Sequence, residues 1–179
     1  MLREQEDPTR IELETTNVWD NPFDIKYGIR GTAIHGDTPF EAPWISHIVG
    51  NLYQGGCDSQ LTLPAHIKHV VSLYPWGRWK IADSRKVVRT EVEMYDAEGE
   101  PDRDQILELA QLVLDSCADG PTLVHCQAGL NRSSLVAGAA LILDGMSPSE
   151  AIQLIRTRRS PACLCNKSFE KFLRELAIA

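Results

Sequence analysis

The 179-residue chain carries 25 acidic against 18 basic side chains, a net charge of -7, and is 43% hydrophobic and 24% charged. That length fits one domain with an extra segment of a few dozen residues, and the composition is ordinary for a soluble globular protein. The acidic balance argues against nucleic-acid or anionic-membrane partners, the longest apolar run (135–143) is far too short to span a bilayer, and the polar, acidic start (1–7) has no signal-peptide core.

In chain order, residues 1–43 differ from the rest. They mix charges, turn pairs such as Asn21-Pro22 and Gly36-Asp37, and scattered aromatics (Trp19, Phe23, Tyr27), with one short alternating stretch at 10–15 that suits a strand. We read them as an N-terminal extension wrapped over a domain formed by residues 44–179. Stretches 44–49 and 52–54 flank Gly50-Asn51 as a strand pair, closed by Gly55-Gly56. A short turn-rich helix is expected over 59–66. Residues 69–74 form a buried parallel strand stopped by Pro75, and 87–95 alternate as another strand, with Val88, Thr90, Val92 and Met94 on one face.

An acidic loop, 96–102, precedes a helix over about 102–117, whose stripe is Ile106, Leu109, Ala110, Val113 and Cys117. Gly120-Pro121 ends it. The apolar residues 122–124 then run as a strand into His125 and Cys126, and after a short loop a helix starts near Arg132 and stops near Asp144-Gly145. Ser147-Pro148-Ser149-Glu150 combines a capping box with a proline at the first helical position. The helix it opens carries Ile152, Leu154 and Ile155 and ends in Arg156, Arg158 and Arg159, cations suited to a solvated helix end. Asn166 caps a last amphipathic helix with Phe169, Phe172, Leu173 and Leu176. Alternating strands and helices, then a helical tail, make an α/β domain with a central sheet and helices on both faces.

The chemistry concentrates at 125–133. A loop between a strand end and a helix N-terminus gathers amides around an anion site, and Arg132 adds a planar two-pronged donor that matches phosphate oxygens. The same positive field favours the nucleophilic thiolate of Cys126. Gly129 allows a backbone conformation that a side chain would obstruct. Gln127, Ala128, Gly129, Leu130 and Asn131 supply the cradle. The five cysteines are odd in number and irregular in spacing, which describes a reducing cytoplasm rather than a disulfide framework; Cys163 and Cys165 lack the second pair a metal site needs.

The string His125-Cys126-x-x-Gly129-x-x-Arg132-Ser133 after an apolar strand is the signature of the cysteine-dependent protein phosphatases. The chain resembles their dual-specificity branch over roughly residues 44–176, the phrase 48–56 being similar to the opening of many such domains. The resemblance implies a mostly parallel sheet of about four to five strands and hydrolysis of a phosphorylated protein through a phosphocysteine, with no metal and no cofactor. As substrate it implies phosphotyrosine, with phosphoserine and phosphothreonine tolerated. It also implies that Ser133 eases thiolate departure, that His125 orders the loop and favours the thiolate, and that an aspartate protonates the leaving group. Asp96 opens the acidic loop about thirty residues before Cys126, comparable to the family's separation. Asp102 competes but stands where a helix cap would, and Glu98, Glu100 and Asp104 lie nearby. The uncharged loop residues argue against an inositide substrate. An RNA 5′-triphosphatase, which shares the asparagine before the arginine, a phosphate-binding module without catalysis, and a rhodanese-like sulfur carrier are the other readings.

Overall fold

The computed structural model describes residues 28–176 apart from 34, 36, 37, 83 and 84. The strand expected at 10–15 and the aromatics Trp19, Phe23 and Tyr27 lie outside the described residues. Two short strands, β1 (Ile29–Thr32) and β2 (Pro39–Ala42), pair antiparallel as a sheet of their own within the stretch read as an extension.

The main sheet has five strands in the order β3-β4-β7-β5-β6. They are β3 (Ile45–Val49), β4 (Leu52–Gly55), β5 (His69–Ser72), β6 (Val88–Glu91) and β7 (Thr122–His125). β3 and β4 form the expected antiparallel pair around Gly50, which takes a positive φ of 53°. The other pairings are parallel. β7 sits centrally, between β4 and β5, so its apolar residues are buried on both faces.

Among the described residues there are four helices: α1 (Arg103–Asp119), α2 (Arg132–Leu143) and α3 (Pro148–Arg158) pack against this sheet, and α4 (Lys167–Glu175) packs on α2 and α3. The starts of three follow from their caps. Asp102 accepts from the amides of Asp104 and Gln105, Ser147 and Glu150 complete the capping box with Pro148 behind them, and Asn166 accepts from the amide of Ser168. α2 is apolar all round and buried along nearly its whole length, as a central helix must be.

The core divides by strand alternation. Val71 and Val124 face the large cluster shared by all four helices, whereas their neighbours Val70 and Leu123 face a smaller one with Ile45, Leu63, Ile67 and Trp79. The mixed α/β architecture with a mostly parallel sheet is the one expected, but the described helices gather on one face, where both were expected to carry them. Segment 57–67 and Trp79 cover the second face instead. The short helix expected at 59–66 is two turns, closed by Leu61 N to Asp58 O and Ile67 N to Pro64 O. Pro64 lacks an amide and holds Leu63 extended, and Leu63 donates to the carbonyl of Lys80 at 2.7 Å, a partner no helix offers. β5 and β6 are also shorter than the sequence suggests. β6 lies at the sheet edge, and Val88 there is 60% exposed rather than inward. Among the described residues no helix is long and apolar enough to cross a membrane.

Candidate active site

Register places the site. In the parallel pairs, Gly55 of β4 lies opposite His125 of β7, Ser72 of β5 opposite the same His125, and Glu91 of β6 opposite Ser72. Four strands therefore end level, and the chain leaving each one meets the others at a common edge, the usual ligand position in open α/β sheets. There Cys126, 2% exposed, forms the end of a cavity of about 370 Å³.

The loop after Cys126 is held by its carbonyls. The Cys126 carbonyl accepts from His125 Nδ1 at 3.2 Å, Gln127 from the Cys57 amide at 3.0 Å, and Ala128 from the Arg159 guanidinium at 3.1 Å. The Gly129 carbonyl accepts from Arg159 Nε and from Gln54 Nε2, both at 3.1 Å, and those of Leu130 and Asn131 from the amides of Leu164 and Leu135. A trans peptide unit sets its N–H opposite its C=O. Carbonyls anchored outward thus turn the amides of residues 127–132 the other way, and these amides donate to no acceptor among the described residues. Gly129 makes the turn possible. Its φ is +73°, and a Cβ there would stand 2.3 Å from the Gly55 carbonyl carbon.

Arg132 opens α2 and is buried. Its Nη1 donates to the Met94 carbonyl at 3.0 Å, its guanidinium lies 5.4 Å from the Tyr74 ring centroid, and its Nε is buried without a partner. The Ser133 hydroxyl accepts from the Cys126 thiol at 3.5 Å and from Gln54 Nε2 at 3.2 Å. Burial pushes the His125 imidazole down to about 4, so the ring is neutral at pH 7. It therefore orders the loop through Nδ1–H and brings no charge to the thiol.

Asp96 follows β6 and lines the cavity with Cys126. One carboxylate oxygen accepts from Asn131 Nδ2 and the other from Asn166 Nδ2, each at 2.9 Å, and His35 Nε2 approaches at 3.1 Å. Asp102 is the cap of α1 and does not join this group. The structure thus brings Cys126, Gln127, Ala128, Leu130, Asn131, Arg132 and Asp96 to one cavity, with Ser133, His125 and Gly129 directly behind it.

Three residues holding the site escaped the sequence reading. Gln54 lies wholly buried and donates to Gly129, Ser133 and Ser134. Asn166 was legible only as a cap. Arg159 corrects an expectation: the basic run is not a solvated helix end. Arg158 and Arg159 are 7% and 3% exposed, and Arg156 pairs with Glu170 at 2.8 Å. Arg159 bonds loop carbonyls on one side and Pro43 and Ser46 on the other. Burial lowers it to about 10, still a cation at neutral pH. Of the other cysteines, Cys57 lines the cavity and Cys163 lies under the loop; burial pushes them up to about 12 and about 11, thiols that stay protonated.

Residues 52–178 match the family model of the dual specificity phosphatase catalytic domain. The chain belongs to that family. The match covers the main sheet from β4 onward and leaves the β1–β2 hairpin outside. Over 52 residues the chain is 44% identical to the probable protein tyrosine phosphatase type IVA B of Dictyostelium discoideum, an alignment spanning 29% of this chain and 31% of that protein. In architecture it is similar to a mouse putative dual specificity phosphatase complexed with zinc tungstate, with a TM-score of 0.63 and 22% identity over 74% of this chain and 86% of that one. Human DUSP28 follows with a TM-score of 0.59 and 22% identity, covering 73% and 93%.

Two outcomes follow from the loop supports. Because His125 is held neutral when folded, the unfolded chain binds the extra proton first. The native state should lose about 3 kcal/mol as pH falls from about 6.5 to about 4. His125→Asn should flatten that part of the wild-type curve of denaturation free energy against pH; equal slopes would place the titration elsewhere. Arg159→Lys keeps the charge but not the fork, and should weaken binding of inorganic phosphate about tenfold by calorimetry. Unchanged affinity would mean that the loop holds its shape without the guanidinium.

Proposed function

We propose that this member of the family is an active cysteine-dependent protein phosphatase, hydrolysing phosphotyrosine or also phosphoserine and phosphothreonine, with residues 44–179 as its catalytic domain. The observation that carries the reading is a set of unspent donors next to one thiol: the amides of residues 127–132, in the loop that follows Cys126, donate to no acceptor among the described residues, and the Nε of Arg132 is buried without a partner. Such preorganised donors stabilise the charge that spreads over a transferring phosphoryl group.

In the first step the Cys126 thiolate attacks phosphorus, an S–P bond forms, and the P–O bond to the substrate breaks as Asp96 gives its proton to the leaving oxygen. In the second, Asp96 takes a proton from water, the oxygen of that water bonds to phosphorus, and the S–P bond breaks to release phosphate. Ser133 donates to the departing sulfur. Two side-chain amides aim the Asp96 carboxyl, whereas Asp102 is already taken up by α1, which supports Asp96 as the acid. No step calls for a metal or a cofactor. The loop contains no lysine, which suits a phosphoprotein better than a polyanionic inositide. A reducing cytoplasm fits a mechanism that depends on a free thiolate, and all five cysteines are unpaired.

Wild-type protein should hydrolyse p-nitrophenyl phosphate in EDTA and be blocked by vanadate, and Cys126→Ser should lose activity by at least about three orders of magnitude. Activity abolished by EDTA and restored by a divalent ion would remove the cysteine mechanism. Asp96→Asn should slow alkyl phosphates and poor aryl leaving groups about a hundredfold, with a smaller loss for leaving groups that need no proton. If Asp102→Asn shows that dependence and Asp96→Asn does not, the acid is Asp102.

A further inference from the structure

We infer that the β1–β2 hairpin is a specificity wall of the substrate pocket, selecting an aromatic phosphate ester, phosphotyrosine, over aliphatic ones. The inference rests on the phosphatase reading and names the substrate class that reading leaves broad.

The cavity has two unlike parts. One part of its lining, which we take as the floor, is the loop with Cys126 and Arg132, and the other is Ile29, Ala33 and Phe40 from the hairpin, with Trp44 just beyond β2. A cavity of about 150 Å³ already accommodates benzene; at about 370 Å³ this one has room for a phosphoryl group and a ring together. The hairpin therefore adds an apolar side to the lining of the cavity. A phosphotyrosine ring would contact that side, while the short side chain of phosphoserine or phosphothreonine, seated on the same floor, would bring polar backbone against it.

The hairpin is seated on the domain rather than merely near it. The Phe40 ring lies over Gly31, its cross-strand partner, and packs against the main core. Ile29 packs so close to Gly56 that a Cβ there would stand 2.6 Å from Ile29 Cδ1. His35, between the strands, reaches Asp96, and Pro43, at the end of β2, accepts from Arg159. Floor and wall thus share anchors. The hairpin also lies before residue 52, where the family match begins, so the wall is an addition to the matched domain.

The test titrates the full-length Cys126→Ser chain with two peptides of one sequence, one bearing phosphotyrosine and the other phosphothreonine, and with inorganic phosphate as a probe of the loop alone. The parent should prefer the phosphotyrosine peptide. Phe40→Ala and, independently, Ile29→Ala should each weaken that peptide about five- to tenfold, with the other two ligands within about twofold. Absence of the parent preference would overturn the proposal. So would an equal change in both peptides, of either sign, since the hairpin would then be a general prop or a cover. So would a loss of inorganic phosphate binding in both variants. Turnover by the wild-type chain is read separately: selective binding with hydrolysis of neither peptide would sink the phosphatase reading and leave the wall standing.

Discussion

The site depends on one constraint, the outward anchoring of the loop carbonyls from Cys126 to Asn131. Peptide planarity converts each anchored carbonyl into an inward amide, so the cradle is made by what grips it from behind. The grips come from separate parts of the chain. Gln54 reaches up from β4, the Cys57 amide from the chain just beyond it, Arg159 from the end of α3, and the Leu164 amide from the turn before α4. Leu164 reaches its position with a φ of 61°, a sparsely populated conformation for a bulky side chain. The sheet supplies the other half of the arrangement. Parallel register levels the strand ends, so the chain after β6 delivers Asp96 to the place where β7 delivers Cys126.

These supports are costly as stability devices. A wholly buried guanidinium such as that of Arg159 loses much hydration, and its partners are neutral carbonyls and a hydroxyl rather than a carboxylate. Gln54 satisfies its amide group but leaves Oε1 buried without a partner. A core built for stability alone would fill these positions with apolar side chains. What the polar groups supply is a loop shape that an apolar core could not enforce, together with a buried positive charge beneath the loop.

The sheet, the four helices and three caps were legible because each rests on local pattern: alternation, 3.6-residue periodicity, and capping residues at fixed offsets. So were Cys126, Arg132 and Gly129, since a strand–loop–helix passage fixes their spacing. What escaped was whatever depends on contact between distant residues. Gln54 reads as an ordinary strand residue and lies 75 positions from the carbonyl it supports. Arg159 carries a favourable local meaning, a cation at a helix end, and tertiary burial overrides it. The 59–66 segment misled for a related reason, because the Leu63 amide and the Leu61 carbonyl pair with Lys80 rather than along a helix. β1 and β2 offer four residues each and little apolar alternation, too short a signal to separate from loop.

Asn131 joins these levels. It occupies the N-cap position of α2, where an asparagine ordinarily accepts from the second or third helical amide, a contact worth about 1 kcal/mol. Here its side chain makes no cap bond. It donates to Asp96 and accepts from the amide of Asn166, while Asn166 caps α4 and donates to the other oxygen of Asp96. One helix is capped and the other left open, and the open one begins at Arg132, at the end of the loop that follows Cys126. The same pair of side chains fixes Asp96 against the loop that begins at Cys126. A helix that withholds its cap keeps its dipole and its donors for something outside the chain, and at this N-terminus the partner they suit is an anion.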